Sequence, residues 1–140
     1  MTGSYIDFWS ITQNSLDFAL ETHKLQNDLA LKERLLALYW ELQPYSEVSQ
    51  MLKELKKKGI KTAILSNGSP EMLSGAVKSS NLYEVIDEII SVDTVKIFKP
   101  SVQVYKQVEN IIGCSKSDVL FVSSNGWDLS LIHISEPTRP

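Results

Sequence analysis

The sequence predicts an α/β fold, a parallel sheet with covering helices that is preceded by a separate helical segment. Three observations predict it. Apolar residues recur at helical spacing as far as Leu55, and the period shortens abruptly after Gly59. From there, three short apolar runs alternate with helix-like stretches, the order expected of parallel strands joined by helices.

Ser4 to His23 places Ile6, Phe8, Trp9, Ile11, Leu16, Phe18, Ala19 and Leu20 at the spacing of a partly buried helix. Asn27 or Asp28 caps a second helix reaching Leu42, with Leu31, Leu35, Leu38, Tyr39 and Leu42 on one stripe, and Pro44 ends it. Ser46 begins a third helix whose face is Val48, Met51, Leu52 and Leu55, and Gly59 supplies its left-handed stop. Ile60 to Leu65 then reads as a short buried strand running into Ser66-Asn67-Gly68. Ser69 caps the next helix, with Pro70 in its first turn, and that helix reaches about Ser80. Ile89 to Val92 is a second strand. Lys99-Pro100-Ser101 precedes a helix over Val102 to Ile112, stopped by Gly113. Asp118 to Val122 is a third strand, leading into Ser123-Ser124-Asn125-Gly126-Trp127-Asp128. This order assigns residues 1–43 to the helical segment and 44–128 to the α/β unit. In parallel sheets the binding crevice forms from the loops after the strand carboxyl ends, and two such loops here are rich in Ser, Asn and Asp.

Composition narrows the classes of function. With 140 residues, 43% of them hydrophobic, the chain suits one domain or most of one, whose core needs neither disulfide nor metal as a staple. Its single cysteine, Cys114, excludes a disulfide framework and a multi-thiolate zinc site. The formal net charge of -3 offers no footprint for nucleic acid or an anionic membrane. The one lysine run, Lys56 to Lys58, falls at a helix end, where the helix dipole favours cations. No long apolar run, signal peptide or lipidation motif is present, and a cytoplasmic protein is expected. The stretch from Leu129 to Pro140 has no helical or strand period. It resembles the translation of a transposase sequencing adapter, codon by codon to Arg139, and is expected to be a non-native tail over 129–140. Setting it aside leaves His23 as the one histidine, read as an exposed residue at a helix end.

Several chemistries fail on residue counts. One histidine in the helical half gives a Ser-His-Asp triad a poor base, and there is no P-loop, dinucleotide fingerprint or metalloprotease helix. What remains is a polar set: Ser66 and Asn67 after one strand, Lys99 before a helix, and Ser123, Asn125 and Asp128 after another strand. Backbone N–H groups at the start of the Pro70 helix, with the Ser66 hydroxyl, suit a carboxylate or phosphate. Lys99 suits the stabilisation of a nearby carboxylate's charge. Asn125 suits donation to a developing oxyanion, and Asp128 the orientation or deprotonation of water. Each also has an ordinary reading: Ser and Asn as turn formers, Lys99-Pro100 as a helix start, Asp128 as a cap.

Taken together, strand-SNGSPE, FKPSVQVY and strand-SSNGWD resemble the haloacid dehalogenase superfamily, and within it the type II (S)-2-haloacid dehalogenases, over Tyr5 to Asp128. The Tyr5-Ile6-Asp7-Phe8-Trp9 stretch is similar to that family's cap. The resemblance implies a partial Rossmann-like core with a helical cap segment. It implies hydrolysis of 2-haloalkanoic acids: an aspartate attacks, halide leaves with inversion, and water cleaves the ester. Ser66 and Asn67 then match the loop that binds the substrate carboxylate, and Lys99 the lysine that steadies the nucleophile's charge. Tyr105, Ser123, Asn125 and Asp128 match the polar network around the ester, with Asp128 positioning water. Phe8 and Trp127 match the apolar wall around the alkyl and halogen end, although core packing is the ordinary reading of both. No cofactor or metal is implied, and a homodimer is expected of the intact parent.

A magnesium-dependent phosphatase is the alternative within the superfamily. There the last loop holds the metal with two acids, whereas Ser124 here stands in place of the first and leaves Asp128 alone. The chain also departs from the dehalogenase pattern. Its nucleophile motif, a strand ending in Asp, and its halide-binding arginine are both absent, since Arg34 is the first arginine. The chain is therefore expected to be a truncated, inactive product of marginal stability, with the apolar faces of Ile60 to Leu65 and Val119 to Val122 unpartnered.

Overall fold

A computed structural model describes residues 5–129; Ser4 and the part of the expected tail beyond Leu129 lie outside the described residues. Helix α1 (Phe8–Thr22) starts where the Asp7 side chain accepts from the Ser10 N–H, and α2 (Leu29–Ala37) where Asp28 does the same for Leu31. α2 is shorter than its apolar stripe suggests. A 3₁₀ turn, Leu38–Trp40, replaces the expected run to Leu42. Tertiary packing accounts for this. Trp40 lies edge-on to Trp9 with 5.6 Å between ring centroids, and it fills the space above Gly75, where a Cβ would stand 2.5 Å from Trp40 Cε3.

α3 (Val48–Lys57) begins two residues after Ser46 and ends as expected: Gly59 has φ 72°, and the Ile60 and Gly59 N–H groups close back onto Leu55 and Lys56. Strand β1 (Ala63–Ser66) follows, then α4 (Pro70–Ser79), with the Ser69 hydroxyl accepting from Met72, then strand β2 (Glu88–Ser91). The two strands are parallel, with Ala63 opposite Glu88 and Ser66 opposite Ser91. Their core is Leu52, Val77, Leu82 and Val85, with Val48, Leu55, Ile64 and Ile86 packed against it. The expected helix from Val102 divides into α5 (Val102–Val108) and a wider π-helical turn, Glu109–Gly113, where Gly113 again has positive φ.

The third strand is not formed. Among the described residues the sheet has two strands. Asp118 closes a 3₁₀ turn, and the chain runs on extended from Val119, at φ -104° and ψ 123°. A β-rich segment supplies the backbone shape, but a ladder also needs a neighbour to take its N–H and C=O groups. Burial still alternates here: Val119, Phe121 and Ser123 are half-buried, while Leu120 and Val122 are 88% and 82% exposed. No described helix is long and apolar enough to cross a membrane.

Candidate active site

The site gathers where β1 and β2 end. In the loop after β1, the Ser66 hydroxyl accepts from the Gly68 N–H at 3.1 Å, and Gly68 C=O accepts from the Ser91 hydroxyl at 2.7 Å. Asn67 Oδ1 accepts from the Lys99 N–H at 2.9 Å, which fixes the lysine's backbone against that loop. The loops after both strands and the segment before α5 are thereby tied together by side chains.

From that anchor the Lys99 side chain reaches Asp128, with Nζ 2.7 Å from Oδ2. The same oxygen accepts from the Ser123 hydroxyl at 3.1 Å, and Oδ1 accepts from the Tyr105 hydroxyl. Asp128 sits in a helical turn over 126–129, with its N–H donating to Asn125 C=O at 3.0 Å. The pair is shielded from water: side-chain exposure is 11% for Lys99 and 2% for Asp128. Buried charges persist only when paired and hydrogen-bonded, and these are both. Phe121 and Trp127 flank the ammonium, with ring centroids 5.9 and 5.8 Å from Nζ, and Phe121 meets Tyr105 edge-on at 5.8 Å.

The electrostatics follow from this geometry. Burial alone would raise the Asp128 carboxyl. Hydrogen bonds from Lys99, Tyr105 and Ser123, with the Lys99 charge, outweigh it and hold the group below the usual carboxylate range. Tyr105 is pushed up, first by burial and then by its hydrogen bond to Asp128 and that residue's charge. It stays a phenol, and so a donor. Asp128 is thus a fixed anion in a cage of donors, and Lys99 a fixed cation beside two aromatic faces.

The structure brings Lys99, Tyr105, Ser123 and Asp128 into direct contact, joins Asn67 to them through the Lys99 backbone, and sets Trp127 beside Lys99. Ser66 holds its own loop together. Asn125 takes part through its backbone, its N–H donating to the Ser123 hydroxyl at 3.2 Å, and the residue itself is exposed. Phe8 opens α1, half-buried, three residues after Tyr5, whose ring stacks on Phe98; it is not among the residues the structure joins to the cluster. Phe121 was absent from the sequence expectation. The signal for it lies in the strand-like alternation that puts Phe121 and Ser123 on one side. Among the described residues, no three His, Cys, Asp or Glu side chains gather as a metal site would need.

A family model described as a haloacid dehalogenase-like hydrolase matches residues 1–133. The chain is 47% identical over 129 residues to (S)-2-haloacid dehalogenase 1 of Pseudomonas sp. (strain CBS-3), covering 92% of this chain and 57% of that protein. It is 38% identical to haloacetate dehalogenase H-2 of Moraxella sp. (strain B), covering 93% of this chain and 58% of that one. Among solved structures it resembles L-2-haloacid dehalogenase from Xanthobacter autotrophicus with chloropropionic acid covalently bound. The TM-score is 0.84 and the identity 40%, covering 93% of this chain and 52% of that one. The chain spans a little over half the length of the curated relatives it matches.

Proposed function

The chain belongs to the haloacid dehalogenase-like hydrolase family, and on that premise we propose that it forms the charge-stabilising half of an active site that hydrolyses small 2-haloalkanoic acids to 2-hydroxy acids. The observation that carries this reading is the buried Lys99–Asp128 pair with its Tyr105 and Ser123 donors. In the reaction, a carboxylate oxygen attacks C2 of the substrate and the halide leaves with the bonding electrons. Water then adds to the carbonyl carbon of the resulting ester, releasing the hydroxy acid and regenerating the carboxylate. The nucleophile motif has no match in this sequence, so the 140-residue chain is proposed to release no halide by itself.

The roles divide by geometry. Lys99, fixed at both its N–H and its Nζ, supplies positive potential to a neighbouring carboxylate without reorganising. Asp128 accepts from Lys99, Tyr105 and Ser123, which leaves about one of its roughly four acceptor positions for the hydrolytic water. Ser66, at the end of β1, and Asn67, in the loop that leads into α4, are proposed to hold the substrate carboxylate. Phe8 and Trp127 are proposed as the wall around its alkyl and halogen end, and Asn125 as a donor at the ester. A magnesium ion would have to compete with the Lys99 ammonium for Asp128, and this pairing favours dehalogenation over a metal-dependent phosphatase. The identity of the 129–140 stretch as a non-native tail, the division at residue 43, a homodimer and a cytoplasmic location belong to the same proposal.

The test is a chimera in which residues 1–128 replace the matching stretch of the 47%-identical Pseudomonas relative. Chloride release from L-2-chloropropionate in EDTA, lost on Lys99→Ala, supports the reading. Phosphate-ester cleavage that appears with magnesium, without chloride release, overturns it.

A further inference from the structure

A second cluster joins the approach to α1 to the loop that leads into Lys99, and the proposed chemistry leaves it unused. The Tyr5 hydroxyl donates to Asp93 Oδ1. The Tyr5 ring stacks on Phe98 with 5.1 Å between centroids and 30° between planes, and Lys96 Nζ stands 5.0 Å from the centre of the same ring. Asp93 lies in the 3₁₀ turn Val92–Thr94 directly after β2, and its N–H is held separately by the Ser91 hydroxyl at 3.2 Å. Its carboxylate is therefore placed by backbone that does not depend on Tyr5.

The cluster has a proposed site residue on each side. Phe8 follows Tyr5 by three positions, and Lys99 follows Phe98 directly. Lys99 has other anchors, its N–H on Asn67 and its Nζ on Asp128, so its position does not rest on Tyr5. At the start of α1, by contrast, the Asp7 carboxylate is engaged in capping Ser10, and the Tyr5 hydroxyl reaches the loop after β2. We propose that Tyr5 and Asp93 are positioning residues that hold the start of α1 against the loop after β2, and so set the gap between Phe8 and Lys99 that admits the substrate's alkyl group. This rests on the dehalogenase reading given above for its substrate, though not for its contacts.

Tyr5→Phe keeps the stack on Phe98 and removes only the donor. In the active chimera it raises KM for L-2-chloropropionate and L-2-chlorobutyrate about three- to tenfold, as loss of one hydrogen bond's worth of uniform binding would, with kcat within about twofold. Asp93→Ala does the same, and the double variant is no worse than either single one. Asp93→Asn, which keeps an acceptor oxygen, restores KM. A fall in kcat at constant KM, additive losses, or no change in either parameter overturns the proposal. Amide hydrogen exchange on the 140-residue chain, with and without Tyr5→Phe, tests the contact independently of activity. Tyr5→Phe is expected to speed exchange in the first turns of α1 about three- to tenfold and leave α4 unchanged. If the chimera is inactive, the functional reading fails while exchange still decides on the contact; unchanged exchange in α1 overturns the positioning role in either case.

Discussion

Two stretches of this chain carry nearly the same pattern, Ala-Ile-Leu-Ser-Asn-Gly at 63–68 and Phe-Val-Ser-Ser-Asn-Gly at 121–126, and they end in different structures. The first is strand β1, paired in register with β2, and its loop is knitted to the neighbouring strand by Ser91. Among the described residues the second has no ladder, yet its loop holds the Asp128 carboxylate, which accepts from three side chains. Backbone pairing and site order are therefore separable here. β1 is fixed by its neighbour, and the 121–128 stretch by side chains that reach it from the segment before α5 and from α5 itself.

The largest test of that separation removes the reaching side chain. Lys99→Ala leaves the Asp128 carboxylate buried without its cation, and breaking a buried pair of this kind costs about 3 kcal/mol. Hydrogen exchange is expected to rise over 121–129 and to stay unchanged in β1. The damage is smaller when Asp128→Asn is added, because the uncompensated charge is then gone. The effect is tied to pH. Asp128 has its folded-state pKa depressed, so its contribution is present above the ordinary carboxylate value of about 4 and is lost as pH falls through the lower folded value. Tyr105 is raised, so its contribution holds below about 10 and fades only above that. In the unaltered chain the Asp128 contribution is thus flat from about pH 8 to about pH 5 and is lost below about pH 4. In Lys99→Ala burial is no longer opposed by the ammonium, the carboxyl takes up its proton at a higher pH, and the stability gap between the two chains narrows from there downward. A gap that does not narrow at all as pH falls from about 7 to about 3 would contradict the depressed carboxyl.

Gly75→Ala tests the other side, the packing that supports β1. Alanine favours a helix over glycine by about 1 kcal/mol, but its Cβ would sit 2.5 Å from Trp40 Cε3. Overpacking costs about 1–3 kcal/mol, so net destabilisation of about 1 kcal/mol is expected, with a shift in tryptophan emission as Trp40 is displaced. A gain in stability would mean that Trp40 moves aside freely. An effect of similar size and opposite sign is expected at Gln107, which is buried on α5 with its Oε1 lacking a hydrogen-bond partner among the described residues. Gln107→Leu removes that orphaned acceptor at similar volume and is expected to raise stability by about 1 kcal/mol, read from urea unfolding.

The comparison also explains what the sequence made legible. Caps and stops are local chemistry, so Ser69, Gly59 and Gly113 were readable where they stand, and Asp28 as one of two neighbouring candidates. Lys99, Ser123 and Asp128 were readable as a polar set because loops after parallel strands converge, whereas Tyr105, on α5, came only with the resemblance to the family. The end of α2 was not, since Trp40 leaves the helix for a partner 35 residues away, Gly75. The third strand was not, because composition shows a segment's readiness to pair and not whether a neighbour is there. Phe121 lay inside that expected strand and was not singled out as a wall of the site.

The smallest expected change in stability bears most directly on the unpaired stretch. Leu120 and Val122 are 88% and 82% exposed, so replacing them removes almost no buried surface. Leu120→Lys with Val122→Thr is expected to alter stability by less than about 0.5 kcal/mol. Self-association should change far more, because an exposed extended segment with apolar side chains and free backbone groups is a template for another chain. Sedimentation of the unaltered chain should show concentration-dependent growth that the double variant reduces, while the Asp128 cluster keeps its exchange protection. If the variant instead loses that protection, Leu120 and Val122 contribute to holding the site, and pairing and site order are not separable after all.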